Sequence, residues 1–353
     1  MLRKYYYYAL KAHYWMRHAL GLSSRKKYKE IKYLLKNVFY PDRERIMVGV
    51  SRRNWYKTNF DSYFIENKEC LHEKYLRLID GLDDESARTI QVIISRLMRY
   101  HQSGRALQKV LRFEATDKEI QIFKQAREDV YSRVIRFPNN TTAYKKWLLP
   151  DPDGLPVLEP EVFYSKCFIE EIDGLHQLKN KDIIDAGAYI GDSSLVLQDY
   201  TDKKVYAFDP SPRHIEKIFE TIKLNNAVKI VPVALGLGDR AEELYIKGSA
   251  LMGAESAYVK LTTLDEWVKN NNVEVGVVKV DIEGLEQKFL RGAIETIRKQ
   301  KPALLMSIYH SASDMFEIKP FIENLNLGYK FKIRRAFDKH ILRDTMLICE
   351  VKE

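Results

Sequence analysis

The chain has 353 residues, 45% hydrophobic and 30% charged, a balance that excludes a wholly disordered, collagen-like or mucin-like protein and leaves room for about two domains. Its net charge of +9 is concentrated at one end. Residues 1–57 carry fifteen Lys and Arg against three acids, so whatever this segment touches is expected to be acidic. No run approaches the ~18 uncharged apolar residues of a membrane span, and no apolar core precedes a small-residue cleavage site. Cys70, Cys167 and Cys349 lie far apart with no CxxC pair, which argues against a disulfide framework or a cysteine zinc site and suits a reducing cytoplasm.

In chain order, residues 1–69 read as a basic, aromatic, helical segment in which Tyr5, Tyr6, Tyr7, Tyr8, Tyr14 and Trp15 lie among the bases. Such rings suit a helix at an anionic membrane surface, here the inner face, or a helix packed on its own protein. Stacking on nucleic acid is the less favoured reading. Residues 70–149 read as helices. One ends at Gly81, and a second runs from an acidic cap at Asp83 to Gly104. Thr116–Glu119 spells a capping box, followed by Phe123, Ala126, Val130, Val134 and Phe137 at helical spacing. Prolines 150, 152, 156 and 160 then mark a linker, and residues 150–179 are expected to cover the site of the next domain.

From residue 180 the texture changes. Candidate strands at 182–186, 204–209, 229–235, 275–281, 303–309, 330–335 and 345–351 alternate with candidate helices at 193–200, 212–225, 263–271, 286–299 and 314–326. This alternation predicts an α/β domain over 180–353: a parallel sheet with helices on both faces, closed at one edge by an antiparallel hairpin of the last two strands.

The first strand of this domain runs into DAGAYIGDSS, residues 185–194. A glycine turn leaving a buried strand lets a ligand approach the backbone with a helix N-terminus facing it. Gly187 and Gly191 give G-x-x-x-G rather than the dinucleotide spacing, and no Gly-Lys-Ser/Thr follows, so NAD is disfavoured and a P-loop excluded. Asp209 ends the second strand 22 residues after Gly187, where an acid can accept bonds from ribose hydroxyls. Without phosphate-binding features, these residues suit an adenosyl ligand, and S-adenosylmethionine is the candidate. Two turn glycines and a helix-capping aspartate in another α/β protein would look the same. Gly236 and Gly238 are only a turn signal.

The fourth strand ends in KVDIEG, which brings Asp281 and Glu283 to the carboxyl rim, where open α/β sheets bind ligands. Such a pair can orient a hydroxyl, act as general base or hold a divalent metal with water, although Glu283 could instead cap the helix near Leu285. The fifth strand delivers Tyr309 and His310 to the same rim, and a histidine there can take a proton near neutral pH.

Taken together, IIDAGAYIGDSSL, VYAFDPSP, VPVALG, LTTLDEW, VVKVDIEGLEQKFLRGA and PALLMSIYH resemble the FkbM-type methyltransferase family over roughly residues 180–353. The resemblance implies a Rossmann-like seven-stranded sheet of order 3-2-1-4-5-7-6 with the seventh strand antiparallel. It also implies S-adenosylmethionine-dependent O-methylation, often of sugar hydroxyls in bacterial glycans or glycoconjugates. Carried over by match, Asp185, Gly187 and Gly191 would line the methionine end, Asp209 would hold the ribose, and Tyr189 and Asp281 would also contact the cofactor. Val233 and Ala234 would lie near the adenine, and Asp281, Glu283 and His310 would border the acceptor. His310 is then the first candidate base and Asp281 the second. Relatives usually carry Glu where Asp209 stands, and a shorter acid reaches one hydroxyl better than two. A metal requirement and an oligomeric state are left open. The competing class is a methyltransferase-fold binding protein docking to anionic lipid, polysaccharide or RNA through its basic arm. A base-methylating Asn-Pro-Pro-aromatic motif is absent after the fourth strand, where Asp-Ile-Glu-Gly stands.

Overall fold

The computed structural model describes residues 46–48, 55–103, 112–150, 160–246, 257–336 and 339–351. The basic aromatic stretch up to residue 45, and with it the expected membrane contact, lies outside the described residues. Of the segment read as helical over 1–69, Trp55–Glu66 is helix α1. It is followed by α2 (Leu71–Ile79) and α3 (Asp84–Gln102), the latter capped by the Asp83 carboxylate accepting from the Ser86 amide. Helix α4 (Asp117–Asp129) opens on the predicted capping box, with Thr116 and Glu119 each bonding the other's backbone amide.

The helical reading fails after α4. Val134–Phe137 (β1), Thr141–Tyr144 (β2) and Trp147–Pro150 (β3) form a three-stranded antiparallel sheet. Val134 and Phe137 fit helical spacing, but Asn140 takes a left-handed conformation (φ 58°) in the connecting turn, which folds β-branched Val134 and Ile135 back onto β2. Tyr144 buries its ring against Trp147 and Phe163. The expected linker is partly ordered, with a helical turn at Pro160–Phe163 and 3-10 turns at Lys166–Glu171 and Leu175–Leu178.

The predicted alternation then appears: β4 (Asp182–Ala186), α5 (Asp192–Leu197), β5 (Val205–Phe208), α6 (Pro212–Asn225) and β6 (Ile230–Val233). Next come β7 (Gly236–Leu237), β8 (Glu242–Ile246) and β9 (Ala257–Thr262), a small second sheet that the turn reading of Gly236 missed. They are followed by α7 (Leu264–Asn271), β10 (Val275–Val280), α8 (Glu286–Arg291), α9 (Ile294–Gln300) and β11 (Ala303–Ser307). Helix α10 (Ala312–Glu323) and strands β12 (Tyr329–Arg335) and β13 (Thr345–Val351) complete the chain. The predicted helix over 286–299 is broken at Gly292. A Cβ there would stand 2.0 Å from the Gly238 carbonyl oxygen, and Asp265 caps α9 by accepting from the Glu295 and Thr296 amides.

The main sheet has the order β12-β13-β11-β10-β4-β5-β6, parallel except for β13, which runs antiparallel to both neighbours. Numbered from β4, this is the 3-2-1-4-5-7-6 arrangement read in reverse. Every residue of β10 is buried, as expected of a strand covered on both faces. Met47–Glu353 form one compact unit, so the helices before residue 130 are not a domain apart from the sheet. Helix α3 covers the edge strand β12: the Ser86 hydroxyl accepts from the Ile333 amide at 2.7 Å, and Arg334 pairs with Asp83 at 3.0 Å. Helix α1 stacks Tyr63 on Phe316 of α10 at 5.2 Å, and Asn59 accepts from the Ala312 amide.

Candidate active site

Two groups of residues converge at the carboxyl ends of β4, β5, β10 and β11. The first is the turn after β4. Gly187 (φ 80°), Tyr189 (φ 51°) and Gly191 (φ 84°) all adopt left-handed conformations. At Gly187 the need for glycine is doubled, because a Cβ would lie 1.9 Å from the Asp281 carbonyl oxygen. At Gly191 a Cβ would meet only ordinary van der Waals contacts at 3.5 Å and beyond.

Asp185 does not line this turn as the resemblance implied. It is wholly buried: Oδ2 accepts from the Ser193 and Ser194 hydroxyls at 2.6 Å each, and Oδ1 faces Lys279 Nζ at 3.2 Å. Asp185 therefore supports the turn from behind. Lys279, a lone cation in the apolar run VGVVKV, donates to the Gly187 carbonyl at 3.1 Å. Burial opposes its charge, yet Asp185 and then Asp281, with a further contribution from Glu161, hold its pKa above the usual lysine range. Glu161, itself buried, comes from the segment expected to cover the site.

Asp209, at the end of β5, is nearly enclosed by its own chain. Oδ1 accepts from the Ser211 amide at 2.9 Å and lies 3.0 Å from His214 Nδ1, while Oδ2 accepts from the Tyr189 amide at 3.1 Å. With the His214 nitrogen donating, Oδ1 is saturated and Oδ2 keeps one acceptor direction, room for one hydroxyl rather than two. Tyr189 packs edge-on against His214 at 4.8 Å. Val233 is half-buried and its carbonyl accepts from the Asp209 amide, whereas Ala234 is exposed in the following turn.

The second group is acidic and gathers around one imidazole. His310 is wholly buried, with Nδ1 2.8 Å from Glu286 Oε1 and Nε2 3.4 Å from Asp281 and 3.5 Å from Glu283. Tyr309 directs its hydroxyl at the Asp281 carboxylate, 3.4 Å away. Burial works against a charged ring, but the Glu286 hydrogen bond and the carboxylates of Glu286, Asp281 and Glu283 raise the His310 pKa to about 9. A ring held with its proton is poorly placed to act as general base, so this arrangement favours a carboxylate, Asp281 or Glu283, over His310 in that role. Glu283 (φ 58°) is the solvent-open member, its side chain 55% exposed, and partial desolvation together with Asp281 and Glu286 raises its pKa despite the opposing His310 charge. Asp314, buried and facing Glu286, is pushed up to about 6.

The two groups touch. The Asp281 amide donates to the Ala186 carbonyl at 3.0 Å, and Gly187 lies against the Asp281 carbonyl, so the glycine turn and the acidic cluster share one floor. The structure thus brings Gly187, Tyr189, Gly191 and Asp209 together on one side and Asp281, Glu283 and His310 on the other. Sequence reasoning missed Glu286, Lys279, Glu161 and His214. Of these only Lys279, a charge inside an apolar strand, carried a signal of its own.

Residues 185–331 match the family model described as the methyltransferase FkbM domain. Over those residues the chain is similar to the FkbM methyltransferase domain. A solved structure of methyltransferase FkbM from Methylobacillus flagellatus KT is similar at 18% identity and a TM-score of 0.51, covering 83% of this chain and 62% of that one. The chain therefore spans about three fifths of that protein's length. A putative O-methyltransferase from Klebsiella pneumoniae is similar at 9% identity and a TM-score of 0.37, over 70% of this chain and 94% of that one. A putative methyltransferase from Streptococcus mutans in complex with SAH is similar at 16% identity and a TM-score of 0.36, over 52% of this chain and 96% of that one. No curated protein matches the chain. The matched residues lie in the α/β sheet described above, and no helix among the described residues is long and apolar enough to cross a membrane.

Proposed function

We propose that this chain is an S-adenosylmethionine-dependent O-methyltransferase whose acceptor is a sugar hydroxyl in a glycan or glycoconjugate. The observation that carries this reading is the shared floor: the turn at Gly187–Gly191 and the cluster of Asp281, Glu283 and His310 meet where Gly187 packs on Asp281. The residues fit an adenosyl group. The glycine turn exposes backbone, Asp209 keeps one acceptor direction for a ribose hydroxyl, and the G-x-x-x-G turn lacks the dinucleotide spacing suited to a pyrophosphate.

When bound, S-adenosylmethionine supplies a methyl group on a sulfonium. The chain's own residues then have two tasks. Asp281, with one face open to solvent, accepts a hydrogen bond from the acceptor hydroxyl and aims its oxygen, since alignment at near-attack distance contributes most of the catalysis available. Glu283, solvent-open and with raised proton affinity, takes the hydroxyl proton as oxygen bonds to carbon, a step typically worth ~10²–10⁴-fold. The buried His310 imidazolium holds both carboxylates in place. The sugar as acceptor follows from the family resemblance.

Calorimetric titration with S-adenosylmethionine and S-adenosylhomocysteine tests the cofactor. The wild-type chain is expected to bind both, and Asp209→Asn to bind about 10–100-fold more weakly, the worth of a hydrogen bond to a charged group. A folded wild type that binds neither ligand refutes the reading. Transfer of labelled methyl to a panel of polysaccharides tests the acceptor, and Glu283→Gln is expected to lower turnover at least tenfold while leaving cofactor affinity unchanged.

A further inference from the structure

We propose that Asp281, Glu286 and His310 form a divalent-cation site at the acceptor end of the cleft, closed on its solvent side by Glu283. Each of the three offers a donor atom within 4.8 Å of the others. A cation entering here displaces the imidazolium proton, so that His310 ligates as the neutral ring and the metal takes over its positive charge. Donors ~2.1 Å from an ion stand roughly 3–4 Å apart, so a small side-chain rotation separates this set from a closed shell. Asp281, partly exposed, is free to make it.

The charge balance points the same way. Asp281, Glu283, Glu286 and Asp314 are four carboxyl groups around one imidazole, with Arg343 acting on Glu283 from the rim, and the buried Lys279 is committed to Asp185 and the Gly187 carbonyl. An independent observation comes from Glu286. Its side chain is wholly buried; Oε1 accepts from the Ile282 amide and faces His310 Nδ1, but Oε2 has no hydrogen-bond partner among the described residues. A buried carboxylate oxygen left without a donor costs free energy unless something positive meets it.

One imidazole with two or three carboxylates suits Mn2+, Fe2+ or Zn2+ better than Ca2+, which prefers an all-oxygen shell. A cation here would polarise the acceptor hydroxyl beside Glu283. This role rests on the methyltransferase reading, but the binding itself does not.

The test uses the full chain, stripped with chelator and titrated separately with Mn2+ and Zn2+ by calorimetry, with the paramagnetic resonance of free Mn2+ as a second readout. Expected is uptake of one Mn2+ or Zn2+ per chain, weakened about 10–100-fold in Asp281→Asn, a range typical of losing one partner at a metal site. Glu286→Gln is expected to behave alike; if it does not fold, Asp281→Asn decides alone. A folded wild type that takes up neither ion, or an affinity unchanged in Asp281→Asn, overturns the proposal. Titration of the same samples with S-adenosylhomocysteine keeps the two readings apart. Nucleoside binding without cation uptake sinks the cation site alone, whereas cation uptake without nucleoside binding supports the site and removes the methyltransferase reading.

Discussion

Gly187→Ala is expected to abolish cofactor binding and methyl transfer together, and to cost about 2–4 kcal/mol of stability from overpacking and left-handed strain combined. The new methyl group would stand 1.9 Å from the Asp281 carbonyl oxygen, a backbone atom that cannot rotate aside, at a residue with φ 80°. Relief requires parting the end of β4 from the end of β10, and those two ends carry the glycine turn and the acidic cluster. The Lys279–Gly187 carbonyl bond and the Asp281–Ala186 bond would stretch with them. Gly191→Ala is the matched control. Its φ of 84° imposes the same backbone strain, but its Cβ meets only side chains and backbone at 3.5 Å or beyond. That change is expected to cost ~1–2 kcal/mol and to leave S-adenosylhomocysteine binding measurable. Denaturant melts and calorimetry on the two variants check the pair, and equal losses at both positions would refute the steric account.

The sheet was legible because parallel strands buried on both faces appear as short apolar runs punctuated by turn residues, and β4, β10 and β13 begin where those runs begin. The small sheets were not. Val134, Ile135 and Phe137 satisfy a helical spacing and a strand equally well, and only the pairing with Thr141–Tyr144 decides between them. The strands β7 and β9 are joined by pairs 25 residues apart, which local pattern does not encode. In the site, the residue types were readable because they sit at strand ends: Asp281 and Glu283 after β10, His310 after β11. Their protonation was not. The state of His310 depends on Glu286, 24 residues away in sequence, and on complete burial, neither of which a lone histidine in a strand-end motif reveals. The same holds for Asp185, whose motif position suggested contact with ligand while its partners Ser193, Ser194 and Lys279 place it beneath the turn.

Glu119→Gln is expected to destabilise the chain by about 3–5 kcal/mol, because it leaves two buried guanidinium groups without their counter-charge. Glu119 receives Arg96 on both oxygens at 2.6 and 2.7 Å and Arg335 at 3.0 Å, and all three side chains are nearly inaccessible. The triad joins α3, α4 and the end of β12, so it is the polar joint between the helices and the sheet edge. Glutamine preserves the size of the side chain and an oxygen for the Thr116 amide, but its NH2 then faces the Arg96 and Arg335 donors, so the loss combines the missing charge with the hydrogen bonds it accepted. The sign of the pH dependence follows. Burial tends to raise the Glu119 pKa, but the Arg96 hydrogen bonds and the Arg335 charge win and lower it below the ordinary 4.5. The stabilisation is therefore complete above pH 4.5 and drains away as pH falls below it toward the depressed folded-state value. Urea melts at pH 7 and pH 4 check both points: the gap between wild type and Glu119→Gln should be wide at pH 7 and narrower at pH 4. The triple change Arg96→Met, Glu119→Leu, Arg335→Met is expected to recover much of the loss, since removing all three charges leaves none buried without a partner. If the triple variant were as unstable as Glu119→Gln, the cost would lie in packing and not in unpaired charge.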